Sequence, residues 1–129
     1  MQISKGLIVA GLFNILGVLT FGRANPGLYF PELFSYWGLV GVLLWGLAYI
    51  SMARRYLQAP EIMLVFAVEK VFYFGSWVWW QWQHFGLLPG IWGENPMAAV
   101  FFSIYGPGDL AFAFFFTALY FRAKSAPQR

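Results

Sequence analysis

IMLVFAVEKVFYFGSWVWWQW, residues Ile62 to Trp82, decides the fold. A helix needs about 20 apolar residues to cross roughly 30 Å of hydrocarbon, and this run suffices. Two ions stand side by side within it, Glu69 and Lys70. A span in lipid must satisfy its own backbone hydrogen bonds. The run also lacks the short alternating segments of an outer-membrane barrel. A transmembrane helix is therefore expected.

Three further apolar runs flank it: Ile3 to Phe21, Tyr36 to Ala53 and Ala98 to Phe121. Each is about the length of a span, the second a little short. The chain is 60% hydrophobic and only 10% charged, whereas a soluble domain carries about 25% charged residues. The expected architecture is all-α. It is a single integral membrane domain, residues 1–129, folded as an antiparallel four-helix bundle. The helices are placed at about 3–21, 36–53, 62–82 and 98–121. No second domain, internal repeat or low-complexity tract is visible, and no inverted repeat of the transporter kind.

The first run has a positive residue and an apolar core, as a signal peptide has. Gly22-Arg23-Ala24 puts an arginine where a small-x-small cleavage site belongs, so a retained helix is expected. Asn25-Pro26-Gly27 is turn chemistry. Residues 22–35 and 83–97 are expected to be loops. Lys5, Arg54, Arg55, Arg122, Lys124 and Arg129 fall on one side of the bundle, against Arg23 on the other. The positive-inside rule then puts both termini in the cytoplasm, in an inner or plasma membrane. Trp77, Trp79, Trp80 and Trp82, with Trp37 and Trp92, would mark the outer interface. Tyr56 and Tyr120 would mark the inner one.

An ionisable group within a span costs at least about 2.5 kcal/mol on insertion scales. Glu69, Lys70 and Asp109 are such groups, and Asn14 is an uncharged fourth. Helical rise puts Glu69 about 12 Å beyond Glu61, and Asn14 about 14 Å beyond Lys5. Asp109 lies at most about 20 Å from Arg122. All four are expected at one level in the inner half of the bilayer. Consecutive residues point about 100° apart, so Glu69 and Lys70 do not face each other. Each requires its own partner or a cavity. Tyr73 and Trp80 share the face of Glu69 at helical spacing.

Two roles fit these residues. In one, Lys70 pairs with Asp109 or stacks on aromatics, Glu69 bonds a tyrosine or Asn14, and the set fixes helix register. In the other, the layer lines a cavity for a ligand or for protons. Buried ion pairs are a weak source of stability, which favours a task. Asn14 shares a face with Gly6, Ala10 and Gly17, a spacing that suits close helix contact. Gly38, Gly41, Gly46 and Ala48 on the second helix are its candidate partners. Pro107 lacks an N–H and crowds the carbonyl of Ser103, between two permissive glycines. The fourth helix is expected to kink or break at Gly106-Pro107-Gly108, where Asp109 would cap the restarted helix.

Much chemistry is excluded. The chain has no cysteine and one histidine, His84. Disulfides, thiolate metal sites and Fe–S clusters are ruled out, as are a haem held by two histidines and a three-histidine zinc site. His84 and Glu94 do not make a metal site by themselves. No phosphate loop, nucleophile elbow or dinucleotide fingerprint appears. No cofactor, metal or nucleic-acid partner is expected.

Ser103-Ile104-Tyr105-Gly106-Pro107, running on into phenylalanine and leucine, resembles the last helix of the EXPERA family. Those are small four-helix membrane proteins that handle sterols. The resemblance is confined to the fourth span. Glu69, on the third, has no secure match among that family's acidic positions.

The leading expectation is a membrane protein that binds a small lipophilic molecule in an intramembrane pocket. Glu69, Lys70, Asp109, Tyr73, Asn14 and Trp80 are the candidate ligand-binding residues. Carboxylates in apolar sites suit acid/base chemistry, though no feature demands a reaction. The alternatives are a proton-coupled transporter or channel subunit, and a structural accessory subunit whose charges meet a partner chain. Membrane lipid is the expected surrounding, and a homo-oligomer or a partner membrane subunit is allowed.

Overall fold

The computed structural model describes residues 3–126. Arg129, counted above among the basic tail residues, lies outside them. Among the described residues the chain is helical and has no strand. The long helices are α1 (Lys5–Phe21), α3 (Tyr36–Ser51), α4 (Pro60–Gln83) and α6 (Pro96–Ser125). Two short ones, α2 (Pro31–Phe34) and α5 (Leu88–Glu94), lie in the connections. Among the described residues three segments are long and apolar enough to cross a membrane: Lys5–Ala24, Pro60–Gln83 and Pro96–Ser125. That is what a membrane protein requires. The remaining long helix, α3, has 16 residues and measures about 24 Å.

Local chemistry sets the starts. The Ser4 hydroxyl accepts the Leu7 N–H, and that of Ser35 accepts the Gly38 N–H. The Asn95 side chain accepts the Ala98 N–H. Each satisfies an amide that the first helical turn leaves free. Proline opens α4 and α6, where its missing N–H costs nothing.

Successive long helices run antiparallel. The Ser4 N–H donates to the Ala53 carbonyl at 2.9 Å, joining the start of α1 to the end of α3. Lys124 pairs with Glu61 at 3.1 Å, joining the end of α6 to the start of α4. This places Lys5, Arg54, Arg55, Arg122 and Lys124 at one end of the bundle.

Two apolar cores fill the interior. One, near the chain termini, holds Leu7, Tyr49, Tyr56, Met63, Phe66 and Phe116. The other holds Phe30, Phe34, Trp80, Ile91, Phe102 and Tyr105. The outside is apolar too: Leu19, Val68, Phe72 and Phe114 are each more than half exposed. The buried polar residues are Ser4, Asn14, Glu69, Lys70 and Asp109. A soluble domain shows the reverse, with its ions outside and its large apolar side chains within.

Several sequence expectations change. Residues 22–35 are a packed connection, with two 3-10 turns leading into α2. Phe30 and Phe34 on it are buried, and Phe34 sets its ring against Phe101 and Tyr105 at 4.8 and 5.0 Å. Tyr56 lies in the core, 2% exposed, and so packs inward at that end of the bundle. The chain does not break at Gly106-Pro107-Gly108, since α6 is continuous from Pro96 to Ser125. Those glycines serve close approach. A Cβ on Gly106 would run into the Trp77 ring, and one on Gly108 would lie 2.7 Å from Phe13. Aromatics of α4 and α1 thus dock on α6 beside Pro107. With no restart of the helix, Asp109 is not its cap.

Candidate functional site

Between the two cores lies one polar layer, to which all four long helices contribute. Its centre is Lys70, 2% exposed. The ammonium donates to Asp109 Oδ1 at 2.8 Å and to Asn14 Oδ1 at 3.0 Å. It also lies 5.2 to 5.8 Å from the ring centres of Phe13, Tyr49 and Phe112. Buried ions require such pairing and saturation, and aromatic faces add attraction for a cation.

Asn14 couples the layer to the packing of α1 on α3. Its amide N–H donates to the Val42 carbonyl at 3.1 Å, while its oxygen receives Lys70. Small residues allow this. A Cβ on Gly46 would lie 2.8 Å from the Gly11 carbonyl oxygen and 3.0 Å from Asn14 Cβ. Two helices in such contact admit only glycine at the crossing.

Glu69 turns to a different partner. The Tyr49 hydroxyl, on α3, donates to Glu69 Oε1. The two neighbouring ions of α4 are thus satisfied separately, as their 100° offset requires. Tyr49 is fully buried, and its apolar neighbours in the sequence give no sign of this role.

The layer forms the polar wall of a cavity of about 490 Å³. Asn14, Glu69, Lys70, Tyr73 and Asp109 all line it. The other walls are apolar and aromatic, with Phe13, Phe34, Phe101 and Tyr105 prominent. The rim includes Leu12 and Leu16 on α1 and Ile104 on α6, each more than two-fifths exposed. The mouth therefore faces sideways, between α1 and α6. Aromatic pairs close the seam on either side of it: Phe13 against Phe112 at 5.2 Å, and Phe21 against Phe101 at 5.7 Å. Gly17 lies between them along α1, where an added Cβ would meet nothing within 4 Å.

Trp80 does not join this group. It is completely buried in the other core, stacked on Phe102 at 4.2 Å and on His84 at 4.7 Å. Its indole N–H donates to the Tyr29 carbonyl at 3.0 Å. Trp80 thus holds the 22–35 connection onto α4. His84 and Glu94 border a separate groove with Tyr29 and Ile91. Among the described residues no group of three His, Cys, Asp or Glu could hold a metal ion.

No family model, curated protein or solved structure matches the chain. The likeness of the fourth span to the EXPERA family therefore gains no support, and the site has to be understood from its own chemistry.

Proposed function

We propose that the protein is a multi-pass membrane protein that binds a small lipophilic molecule in the cavity between α1 and α6. In this reading α1, α3, α4 and α6 all span the membrane. Both termini are cytoplasmic, and the membrane is an inner or plasma membrane. The short α3 spans with local thinning of the bilayer, a modest cost, and Tyr36 and Trp37, both exposed, anchor its outer end. Pro107 bends α6 without interrupting it, because the Ser103 carbonyl has lost its usual helical donor.

One observation carries the proposal. The bundle's buried ions line a sizeable cavity whose remaining wall is apolar and whose rim is exposed and greasy. Pockets of about 300–1,000 Å³ with a few convergent polar groups are the usual form of a small-molecule site. A mouth turned sideways in a membrane opens on hydrocarbon, so the ligand would enter from lipid. Asn14, Glu69, Lys70, Tyr73 and Asp109 would anchor its polar end. Trp80 is not included.

The alternatives have less support. A proton path needs a polar route across the bundle. Here the Tyr49, Phe66 and Phe116 packing closes one side of the layer, and the Trp80 and Phe102 stack closes the other. An accessory subunit would turn its charges outward to a partner chain, yet Glu69, Lys70 and Asp109 face inward.

Gly17→Phe tests the proposal. Gly17 lines the cavity and an added Cβ there would meet nothing within 4 Å, so the ring has room to enter, and replacing a helical glycine favours the helix by a few tenths to about 1 kcal/mol. The variant should fold and should lose its cavity. Dodecanol, added to the wild-type protein in nanodiscs of neutral lipid, should raise its unfolding temperature by mass action. Gly17→Phe should show no rise. Equal rises in both proteins would mean that dodecanol acts elsewhere, and the proposed site would be lost.

A further inference from the structure

The polar layer is unbalanced in a way that specifies the ligand's head. It contains two carboxyl groups and one ammonium. The ammonium is already engaged by Asp109 and Asn14, and three rings surround it. The carboxyl groups are only half used. Asp109 accepts Lys70 through Oδ1, and Glu69 accepts Tyr49 through Oε1. The second oxygen of each, Asp109 Oδ2 and Glu69 Oε2, has no protein hydrogen-bond partner among the described residues. Neither is sealed off, since no fully buried side-chain oxygen lacks a partner there. Both residues line the cavity. What the wall offers an occupant is therefore acceptors and an excess of acid over base.

The rest of the wall suits the same chemistry. Tyr73 lies one turn beyond Glu69 on α4, and Phe34, Phe101 and Tyr105 stand beside it around the cavity. Aromatic faces attract ammonium groups, most strongly when both are desolvated. An anionic head would meet two carboxyl groups and no uncommitted cation. A neutral hydroxyl would find an acceptor but would leave the second carboxyl group without a counter-ion, and an ionised carboxyl group held there unpaired is costly.

We infer that the cavity selects lipophilic molecules with a protonated amine head, which Glu69 Oε2 receives beside the Lys70–Asp109 pair. This rests on the proposed function, since it needs the cavity to be a binding site. It adds the class of ligand. No bond is made or broken.

Three probes of equal chain length separate the possibilities: dodecylamine, dodecanol and dodecanoate. Each is titrated into the full-length protein in nanodiscs of neutral lipid and read by the shift in unfolding temperature. Gly17→Phe serves as the blank for partition into lipid. The amine should bind at least tenfold more tightly than the alcohol, and dodecanoate most weakly. Glu69→Gln keeps an oxygen for Tyr49 but removes the charge. It should abolish the preference, so that amine and alcohol bind alike in this variant. Alcohol or carboxylate binding as tight as amine in the wild type would overturn the inference and leave the cavity reading intact. An amine preference unchanged in Glu69→Gln would also overturn it. If Gly17→Phe blocked none of the three probes, both readings would fall together.

Discussion

Lys70→Met should lower the unfolding free energy by about 3–5 kcal/mol, the loss that follows when one partner of a buried ion pair is removed. The ammonium is 2% exposed and bonded to Asp109 and Asn14. Methionine matches its stem but leaves the Asp109 carboxylate without its donor and Asn14 without its link to α4. The double variant Lys70→Met, Asp109→Leu should recover most of the loss, because apolar replacement of a whole buried pair is often neutral or better. Equilibrium unfolding in mixed micelles measures both. A cost below about 1 kcal/mol for the single variant would place it with exposed pairs, and the layer could not then be sequestered from water. The pair is thus a weak contributor to stability as a whole and a heavy liability when halved. That asymmetry is the reason for assigning the layer a task.

Gly46→Val should cost about 3 kcal/mol, the upper part of the usual range for overpacking. Its Cβ would press on the Gly11 carbonyl and on Asn14. Backbone cannot rotate aside as a side chain can, so α1 and α3 have to separate. Asn14 would then be drawn from Val42 and from Lys70 together. The variant should lose probe binding as well as stability. Gly41→Val is the control on the same helix, where a Cβ meets nothing within 4 Å, and it should be close to neutral. Equal effects of the two substitutions would show that helix crossing at Gly46 does not hold the layer in place.

The helical segments were legible because length and apolarity alone define them. Observed boundaries at 5–21, 36–51, 60–83 and 96–125 stand close to the expected ones. The common level of Asn14, Glu69, Lys70 and Asp109 followed from helical rise, which depends on nothing but spacing. Trp80 shows where spacing around the helix is not enough. It shares a face with Glu69, but eleven residues of helix separate them by about 16 Å, so it lies in a different core. Tyr49 is not legible in the sequence, because a tyrosine among apolar residues looks like ordinary packing until a carboxyl group is found against its hydroxyl. Turn residues hid Phe30 and Phe34, since Asn25-Pro26-Gly27 describes a change of direction and not what the following rings cover. Gly106-Pro107-Gly108 was ambiguous for a physical reason. The glycines that would free a backbone also make room for Trp77 and Phe13, and only the packing distinguishes a hinge from a notch.

The most direct measurement uses dodecylamine carrying a diazirine at the chain end, photolysed with the protein in native membranes. Sites of attachment are mapped by mass spectrometry. The account predicts adducts concentrated on cavity residues such as Leu16, Phe34, Ile104 and Tyr105, lost in Gly17→Phe and displaced by excess unlabelled amine. Adducts spread evenly over outward residues such as Leu19, Val68, Val71 and Phe114, and unchanged in Gly17→Phe, would contradict it.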